Sequence, residues 1–193
     1  MGKTQYLALL RGINVGGNNI IKMGELRKLF AEMGFADVLT YIQSGNVVFK
    51  CPEKNKLKLK AQIEKILLKK LGNKITLAIL TLAEMQKVIT GKPAGFGENK
   101  KAYKYDVVFL LEPLKAPDAL KEFNPRDGVD KMSAGKNVIY VSRLIKQITK
   151  SRFTKIIGTK IYQNMTIRNW NTTEKLYKLM EGNNKNKNGQ YSS

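Results

Sequence analysis

Strand-like and helix-like patterns alternate over the first 80 residues in an order that few folds accommodate. Residues 5–11, QYLALLR, form an unbroken apolar run typical of a strand buried on both faces. Residues 37–42 and 46–50 are β-branched or aromatic segments separated by QSG, which predicts a hairpin. The run KITLAIL at 74–80 predicts a further strand.

Two helical periodicities separate these strands. The first has apolar residues at helical spacing, namely Met23, Leu26, Leu29, Phe30 and Met33. Gly34 supplies its stop signal. The second covers residues 54–71 with one apolar face, and Gly72 follows it. The resulting order, β-α-β-β-α-β, is that of a ferredoxin-like sandwich.

The remainder of the chain repeats this order. We expect a strand at 104–111, a short helix at 118–123, a hairpin at 127–132 and 137–142, a helix near 151–158, an extended piece at 164–168 and a helix at 172–180. The hairpin sequences SGNVVF (44–49) and SAGKNVIY (133–140) are alike, and either an internal duplication or chance explains that likeness. The predicted class is α/β (α+β), a duplicated ferredoxin-like sandwich with mostly antiparallel sheets.

The domain organisation follows from this duplication. Residues 1–80 form the first ferredoxin-like half and residues 104–181 the second. Residues 81–103 connect them, beginning with a helix whose capping box is Thr81 to Glu84 and continuing as a Gly- and Pro-containing linker. The low-complexity residues 182–193 are predicted to be a disordered tail.

Composition excludes several classes of site. The chain has no histidine, which rules out a Ser-His-Asp triad, a Cys-His dyad and histidine-bearing zinc sites. Its single cysteine, Cys51, rules out an internal disulfide and is expected to be an inert thiol. We therefore expect no metal and no cofactor. No signal peptide or membrane span is apparent, so a cytoplasmic protein without a membrane partner is expected.

The net charge of +20 has two interpretations. A basic surface is typical of nucleic-acid binding. Of the 35 basic residues, however, 29 are lysine, and a Lys/Asn/Ile bias is what an AT-rich coding sequence leaves at tolerant surface positions. The chain has only six arginines, and this scarcity disfavours base-specific readout, which depends on the guanidinium fork. The partner is thus an unknown anionic small molecule or nucleic acid, and a homodimer is possible.

Two polar clusters are expected to meet at one edge of the first sheet. With the strand order 4-1-3-2, the end of strand 1 and the loop GINVGGNN lie beside the start of strand 3, QSGN. The candidate ligand-binding residues there are Arg11, Gly12, Asn14, Gly16, Gly17, Gln43, Ser44, Gly45 and Asn46. The loop lacks the Lys-Ser/Thr of a P-loop and the dinucleotide fingerprint. The alternative for GINVGGNN is a purely structural loop, and the alternative for QSGN is a plain hairpin turn.

A third polar cluster lies in TIRNWNTTEKL, residues 166–176. Arg168 and Asn169 precede a helix, where backbone N–H groups can bind an anion. Asn171 and Glu174 have the spacing of a capping box, which would start that helix at Asn171. Trp170 is the expected packing anchor. Two interpretations of residues 166–176 remain open. These residues either cap and pack the last helix, or they bind a ligand. Asp130 is expected in a solvated turn rather than in a metal site.

Four segments resemble one family. They are ALLRGINVGGNN, KMGELRKLFAEMGF, VLTYIQSGNVVF and TIRNWNTTEKL. The chain resembles the mainly bacterial domain of unknown function 1697 family from about residue 4 to 180. The resemblance implies a duplicated ferredoxin-like arrangement. It also implies that the family's polar positions fall here on the candidate residues named above together with Thr172. No activity comes with it.

Three classes of function follow. The first is a protein that binds a phosphate- or carboxylate-bearing ligand, or a nucleic-acid backbone, at a Gly/Asn/Arg-lined cleft. The second is a histidine-independent enzyme acting on a small phosphorylated or carboxylated substrate, with Arg11 or Arg168 stabilising charge and its catalytic residues unknown. The third is a structural interaction module. The residues themselves favour the first class.

Overall fold

The structure, a computed structural model, describes residues 2–17 and 19–185. Within those ranges the strands are β1 (Thr4–Leu10), β2 (Ala36–Tyr41), β3 (Asn46–Cys51), β4 (Leu77–Thr81), β5 (Tyr103–Leu110), β6 (Asp130–Ala134), β7 (Val138–Leu144) and β8 (Met165–Asn169). The α-helices are α1 (Met23–Glu32), α2 (Lys56–Leu71), α3 (Leu82–Thr90), α4 (Ala116–Lys121) and α5 (Trp170–Lys185). The fold class is confirmed, since these elements form two antiparallel sheets in a duplicated ferredoxin-like arrangement.

The first sheet has the order β2-β3-β1-β4, which is the predicted 4-1-3-2 order. Strand β1 runs antiparallel to both neighbours, with Leu9 opposite Asn46 on β3. Residues Tyr6 to Leu10 are all at most 2% exposed, so β1 is buried on both faces as its apolar run predicts. Helices α1 and α2 contribute Leu26, Phe30, Leu59, Ile63 and Leu67 to the core with residues of the sheet.

Local signals in the sequence account for the ends of these elements. Gly34 follows α1 with a φ of +84°, and Gly72 ends α2 in the left-handed conformation. The predicted capping box before α3 is confirmed. The backbone N–H of Glu84 donates to Thr81 Oγ1 at 3.2 Å, and that of Thr81 donates to Glu84 Oε2 at 2.8 Å.

The second sheet repeats the order of the first as β6-β7-β5-β8. One expected element differs. Where a helix was predicted near 151–158, the chain forms short 3₁₀ segments at Ile145–Lys150, Phe153–Gly158 and Lys160–Asn164. Phe153 and Ile156 are buried three residues apart, which suits a 3₁₀ turn. The extended conformation of Ser151 and Thr159 prevents the segments from joining into one α-helix.

The C-terminal helix also departs from the prediction. Helix α5 begins at Trp170 and continues to Lys185, so residues 182–185 are helical although the sequence predicted disorder from 182. The rest of the predicted tail, 186–193, lies outside the described residues.

The part of the chain that the structure describes divides into two compact units. The first unit comprises residues 2–17, 19–85 and 175–185, and the second unit is Gln86–Glu174. The division falls within α3 and α5. None of the helices in the described ranges has both the length and the apolar character that crossing a membrane requires.

Candidate functional site

The glycine loop, residues 12–17 and 19, lies beside the turn formed by residues 43–46, as the strand order predicts. The backbone N–H of Leu10 donates to the Gly45 carbonyl at 2.8 Å. The side-chain amide of Asn14 donates to the Gln43 carbonyl at 3.1 Å. The structure thus brings the nine candidate residues of the first unit to one edge of its sheet.

Asparagine side chains hold the glycine loop in shape. Asn14 Nδ2 also donates to the Ile21 carbonyl at 3.0 Å, and its Oδ1 accepts from the Ile21 N–H at 2.8 Å. Asn19 Nδ2 donates to the Gly12 carbonyl at 2.9 Å. Both asparagines adopt positive φ, at +54° and +50°. Since the side chains of Asn14 and Asn19 form hydrogen bonds within the protein, these two residues stabilise the conformation of the loop rather than donate to a ligand.

The tip of the glycine loop is open. Gly16 and Gly17 are exposed, with φ of +59° and +78°. A Cβ at either position would meet no atom within 4 Å. Packing therefore does not demand glycine here; the left-handed backbone does, and it leaves the peptide groups accessible to a ligand. Arg11 lies half-buried at the base of the loop, and its backbone N–H donates to the Thr76 carbonyl at 2.9 Å.

The residues of the QSGN turn have mainly structural contacts. Asn46 is fully buried, and its Nδ2 donates to the Tyr41 carbonyl at 3.0 Å and to Ser44 Oγ at 2.9 Å. Gly45 has a φ of +68°, and a Cβ there would lie 2.9 Å from the Cβ of Leu10. Gln43 is exposed. These contacts favour the hairpin interpretation for Asn46 and Gly45, and they leave Gln43 accessible beside the glycine loop.

A strained isoleucine, which the sequence analysis did not predict, lies next to this turn. Ile42 has a φ of +46°, a conformation in which β-branched residues are outliers, and its side chain is 49% exposed. Val15 and Ile20 of the glycine loop are exposed too. Strained and exposed apolar residues occur at functional sites. Ile42 reads in the sequence as an ordinary strand residue, so no signal there could have singled it out.

Arg168 and Asn169 belong to the second unit. Arg168 is 7% exposed; its Nη1 donates to Thr166 Oγ1 and to the Ile167 carbonyl, both at 2.8 Å. Burial lowers the pKa of the Arg168 guanidinium to about 10. Asn169 Nδ2 donates to the Tyr105 carbonyl at 3.0 Å. Both side chains are held by contacts within their own unit.

Asn169, not Asn171, occupies the position before the last helix. Its Oδ1 accepts from the backbone N–H of Asn171 at 3.0 Å, which corrects the predicted start at Asn171. Strand β8 leads directly into α5, so the junction falls two residues earlier than the capping-box spacing suggests. Trp170 is 2% exposed and packs edge-on against Phe96 at 5.1 Å, which confirms it as a packing anchor.

Two further expectations concern acidic and thiol groups. Asp130 is 6% exposed, so it does not lie in a solvated turn. Its Oδ2 accepts from the backbone N–H groups of Arg126 at 3.0 Å and Arg152 at 2.9 Å. Cys51 is buried, and burial raises the pKa of its thiol, as expected for an unreactive cysteine. The described residues contain no group of three or more acidic, cysteine or histidine side chains that could hold a metal.

Comparison with known proteins identifies the family. Residues 3–140 match the family model described as a protein of unknown function, DUF1697, so the chain belongs to that family. A conserved bacterial protein of Streptococcus pneumoniae has a similar structure, with a TM-score of 0.80 and 26% sequence identity. The alignment covers 93% of this chain and 99% of that one. No curated protein matches the sequence.

Proposed function

We propose that this member of the DUF1697 family binds an anionic, phosphate- or carboxylate-bearing ligand at the glycine loop. The observation that carries the proposal is the open backbone at Gly16 and Gly17, whose Cβ positions have no neighbour within 4 Å. Successive backbone N–H groups in a turn form concave surfaces that bind anions. An ordered loop of this kind would present N–H donors without needing histidine or a metal.

Charge around the glycine loop supports an anion. Arg11 lies at its base, and the exposed Lys22 follows it at the start of α1. Lys22 precedes the first turn of α1, and its side chain makes no capping hydrogen bond. A helix N-terminus, with its partial positive charge, adds to the attraction for an anion. The net charge of +20 would also draw anions toward the molecule.

The hydrogen bonds of Asn14 support a preorganised site. Asn14 joins the glycine loop to Ile21 and to Gln43, so hydrogen bonds within the protein hold the loop in place. A preorganised loop loses less conformational entropy on binding than a flexible one. The exposed Gln43 could then add a side-chain donor or acceptor next to the loop. No observation favours the enzyme or the interaction module over ligand binding.

Thermal shift measurements with pyrophosphate test the proposal. Pyrophosphate is expected to raise the Tm of the wild type and to raise that of Arg11→Ala much less, because a ligand stabilises only the state that binds it. Arg27→Ala is the matched control, since Arg27 is an exposed arginine on α1. Equal shifts for the wild type and Arg11→Ala would show that Arg11 is not a ligand contact.

A glycine variant tests the loop directly. Gly16→Ala adds a Cβ over the open backbone and should weaken pyrophosphate binding. Gly128→Ala, with a φ of +72° and equally open space, carries the same backbone penalty at a residue of the second unit and serves as control. If both variants bind pyrophosphate as the wild type does, the glycine loop is not the site.

Salt dependence separates the two kinds of anionic ligand. Binding to a single-stranded oligonucleotide should weaken steeply with added salt if the ligand is a nucleic-acid backbone. Oligonucleotide binding that is absent, or independent of salt, would restrict the proposal to small anions. Comparing Arg11→Ala with Arg27→Ala in this assay shows whether any such binding involves the glycine loop.

A further inference from the structure

A cleft in the second unit combines aromatic, apolar and cationic side chains. Its volume is about 270 Å³. It is lined by Lys100, Tyr103, Lys104, Tyr105, Ile145, Ile148, Asn169, Trp170 and Asn171. Ligand pockets commonly have volumes of about 300–1,000 Å³. This cleft lies just below that range, which suits a small molecule.

The tyrosines supply hydrogen-bonding groups that the fold does not use. Tyr105 is only 6% exposed, and its ring packs edge-on against Phe96 at 4.9 Å. Among the described residues, the hydroxyl groups of Tyr105 and Tyr103 have no hydrogen-bond partner. The Tyr105 hydroxyl is not one of the fully buried polar atoms that lack a partner, so it opens onto the cleft. A ligand in the cleft would provide it with a hydrogen-bond partner.

Positive charge borders the cleft. Lys104 forms no ion pair with any residue that the structure describes. The ammonium of Lys131 lies 6.0 Å from the centre of the Tyr103 ring. Lys100 is paired with Glu174 at 3.0 Å. Of the three lysines around these tyrosines, only Lys100 has its charge balanced by an ion pair with a described residue.

The N-terminus of α5 meets the same cleft. Trp170 and Asn171, the first two residues of this 16-residue helix, are among its lining. Asn169 satisfies the N–H of Asn171, and the remaining N–H groups of the first turn give the helix end a partial positive charge. Together with the unpartnered Tyr105 hydroxyl, this favours an anionic group with several acceptor oxygens.

We propose that this cleft binds a small organic phosphate monoester. Its phosphate would accept from Lys104 and the tyrosine hydroxyls near the start of α5, because three phosphate oxygens can satisfy several donors at once. Its carbon body would pack against Ile145 and Ile148. This site does not depend on the glycine loop, whose candidate residues lie in the first unit.

Trp170 offers a direct readout, since it is the only tryptophan and lines the cleft. Titration of the whole chain with phenyl phosphate should change its fluorescence saturably. Phenol, benzoate and inorganic phosphate are the comparison ligands, and each is expected to bind more weakly. Failure of phenyl phosphate to bind overturns the proposal. If phenol binds equally well, the cleft does not recognise the negative charge. If benzoate binds equally well, the cleft is not specific for phosphate. If inorganic phosphate binds equally well, the carbon body of the ligand does not contribute to binding.

Two variants test the named contacts. Tyr105→Phe keeps the ring and removes the hydroxyl, and it should weaken phenyl phosphate binding about tenfold. Lys104→Gln should weaken it about two- to fivefold, as expected for an exposed cation. Lys155→Gln, an exposed lysine elsewhere in the second unit, should bind as the wild type does. Circular dichroism checks that each variant is folded.

The outcomes distinguish this site from the glycine loop. Wild-type affinity in both Tyr105→Phe and Lys104→Gln would overturn the cleft as the site. If Tyr105→Phe is not folded, Lys104→Gln alone is the test, and wild-type affinity for phenyl phosphate in this variant would overturn the cleft as the site. Because Trp170 reports on the cleft, Arg11→Ala should leave the fluorescence titration with phenyl phosphate unchanged, whether or not pyrophosphate binding at the glycine loop is found.

Discussion

The side-chain amide of Asn14 donates to the backbone carbonyl of Gln43 at 3.1 Å, joining two loops that are 29 residues apart in the chain. The same amide group donates to the Ile21 carbonyl, and the Asn14 oxygen accepts from the Ile21 N–H. One side chain therefore links the glycine loop to its own end and to the neighbouring turn. Its loss should affect both loops.

Asn14→Ala is expected to lower the free energy of unfolding by about 3 kcal/mol, because it removes these hydrogen bonds and places alanine at positive φ. Asn137→Ala is a suitable control. Asn137 is exposed with a φ of +59°, so alanine there should cost about 1 kcal/mol from the backbone alone. Urea unfolding of both variants measures the difference. Equal losses would mean that the Asn14 side-chain contacts contribute nothing to stability.

Gly45→Ala tests the close contact between the turn and β1. The new Cβ would lie 2.9 Å from Leu10 Cβ while the residue remains at a φ of +68°. We expect a loss of about 3 kcal/mol, from backbone strain together with overpacking. Gly128→Ala has a similar φ and open space, and it should lose only about 1 kcal/mol. A Gly45→Ala variant as stable as Gly128→Ala would show that the turn moves away from Leu10 without penalty.

Ile42 stores backbone strain that a substitution can relieve. Asparagine tolerates positive φ better than a β-branched residue does, and the Ile42 side chain is half exposed. Ile42→Asn should therefore raise the free energy of unfolding by about 1 kcal/mol. Chemical denaturation measures the change. A less stable variant would indicate instead that the isoleucine side chain makes contacts worth more than the strain.

The elements that sequence patterns predicted share one property: their signals are local and regular. The apolar run of β1 indicates a strand buried on both faces, and the order of elements then leads to the observed sheet and to the meeting of Asn14 with Gln43. Thr81 and Glu84 form the expected capping box because the whole motif lies within four residues.

The features that were missed depend on longer-range packing. Arg143 and Asp106 form a buried ion pair across β5 and β7, 37 residues apart, and no spacing rule connects them. The cleft around Tyr105 draws its lining from residues between Lys100 and Asn171, so it exists only once the second sheet has formed. The motif Asn171 to Glu174 misled for a related reason, since the end of β8 determines where α5 begins.

Asp130 should make stability sensitive to acid. Burial alone would raise the pKa of its carboxyl, but hydrogen bonds from Ser151 and from the backbone N–H groups of Arg126 and Arg152 outweigh burial and lower it. Because the pKa is then lower in the folded than in the unfolded chain, the ionised group stabilises the fold above the unfolded value, which is 3.8 for an ordinary aspartate. That contribution is lost as the pH falls through the folded pKa.

The comparison of Asp130→Asn with Asp127→Asn measures this effect. Asp127 is exposed and close in sequence, so its variant should follow the wild type. Asp130→Asn should be less stable at neutral pH, because the amide cannot replace the charged acceptor of two N–H groups. Its stability should also fall less than that of the wild type between about pH 5 and pH 2. Parallel acid profiles for the wild type and Asp130→Asn would mean that this carboxylate does not couple protonation to folding.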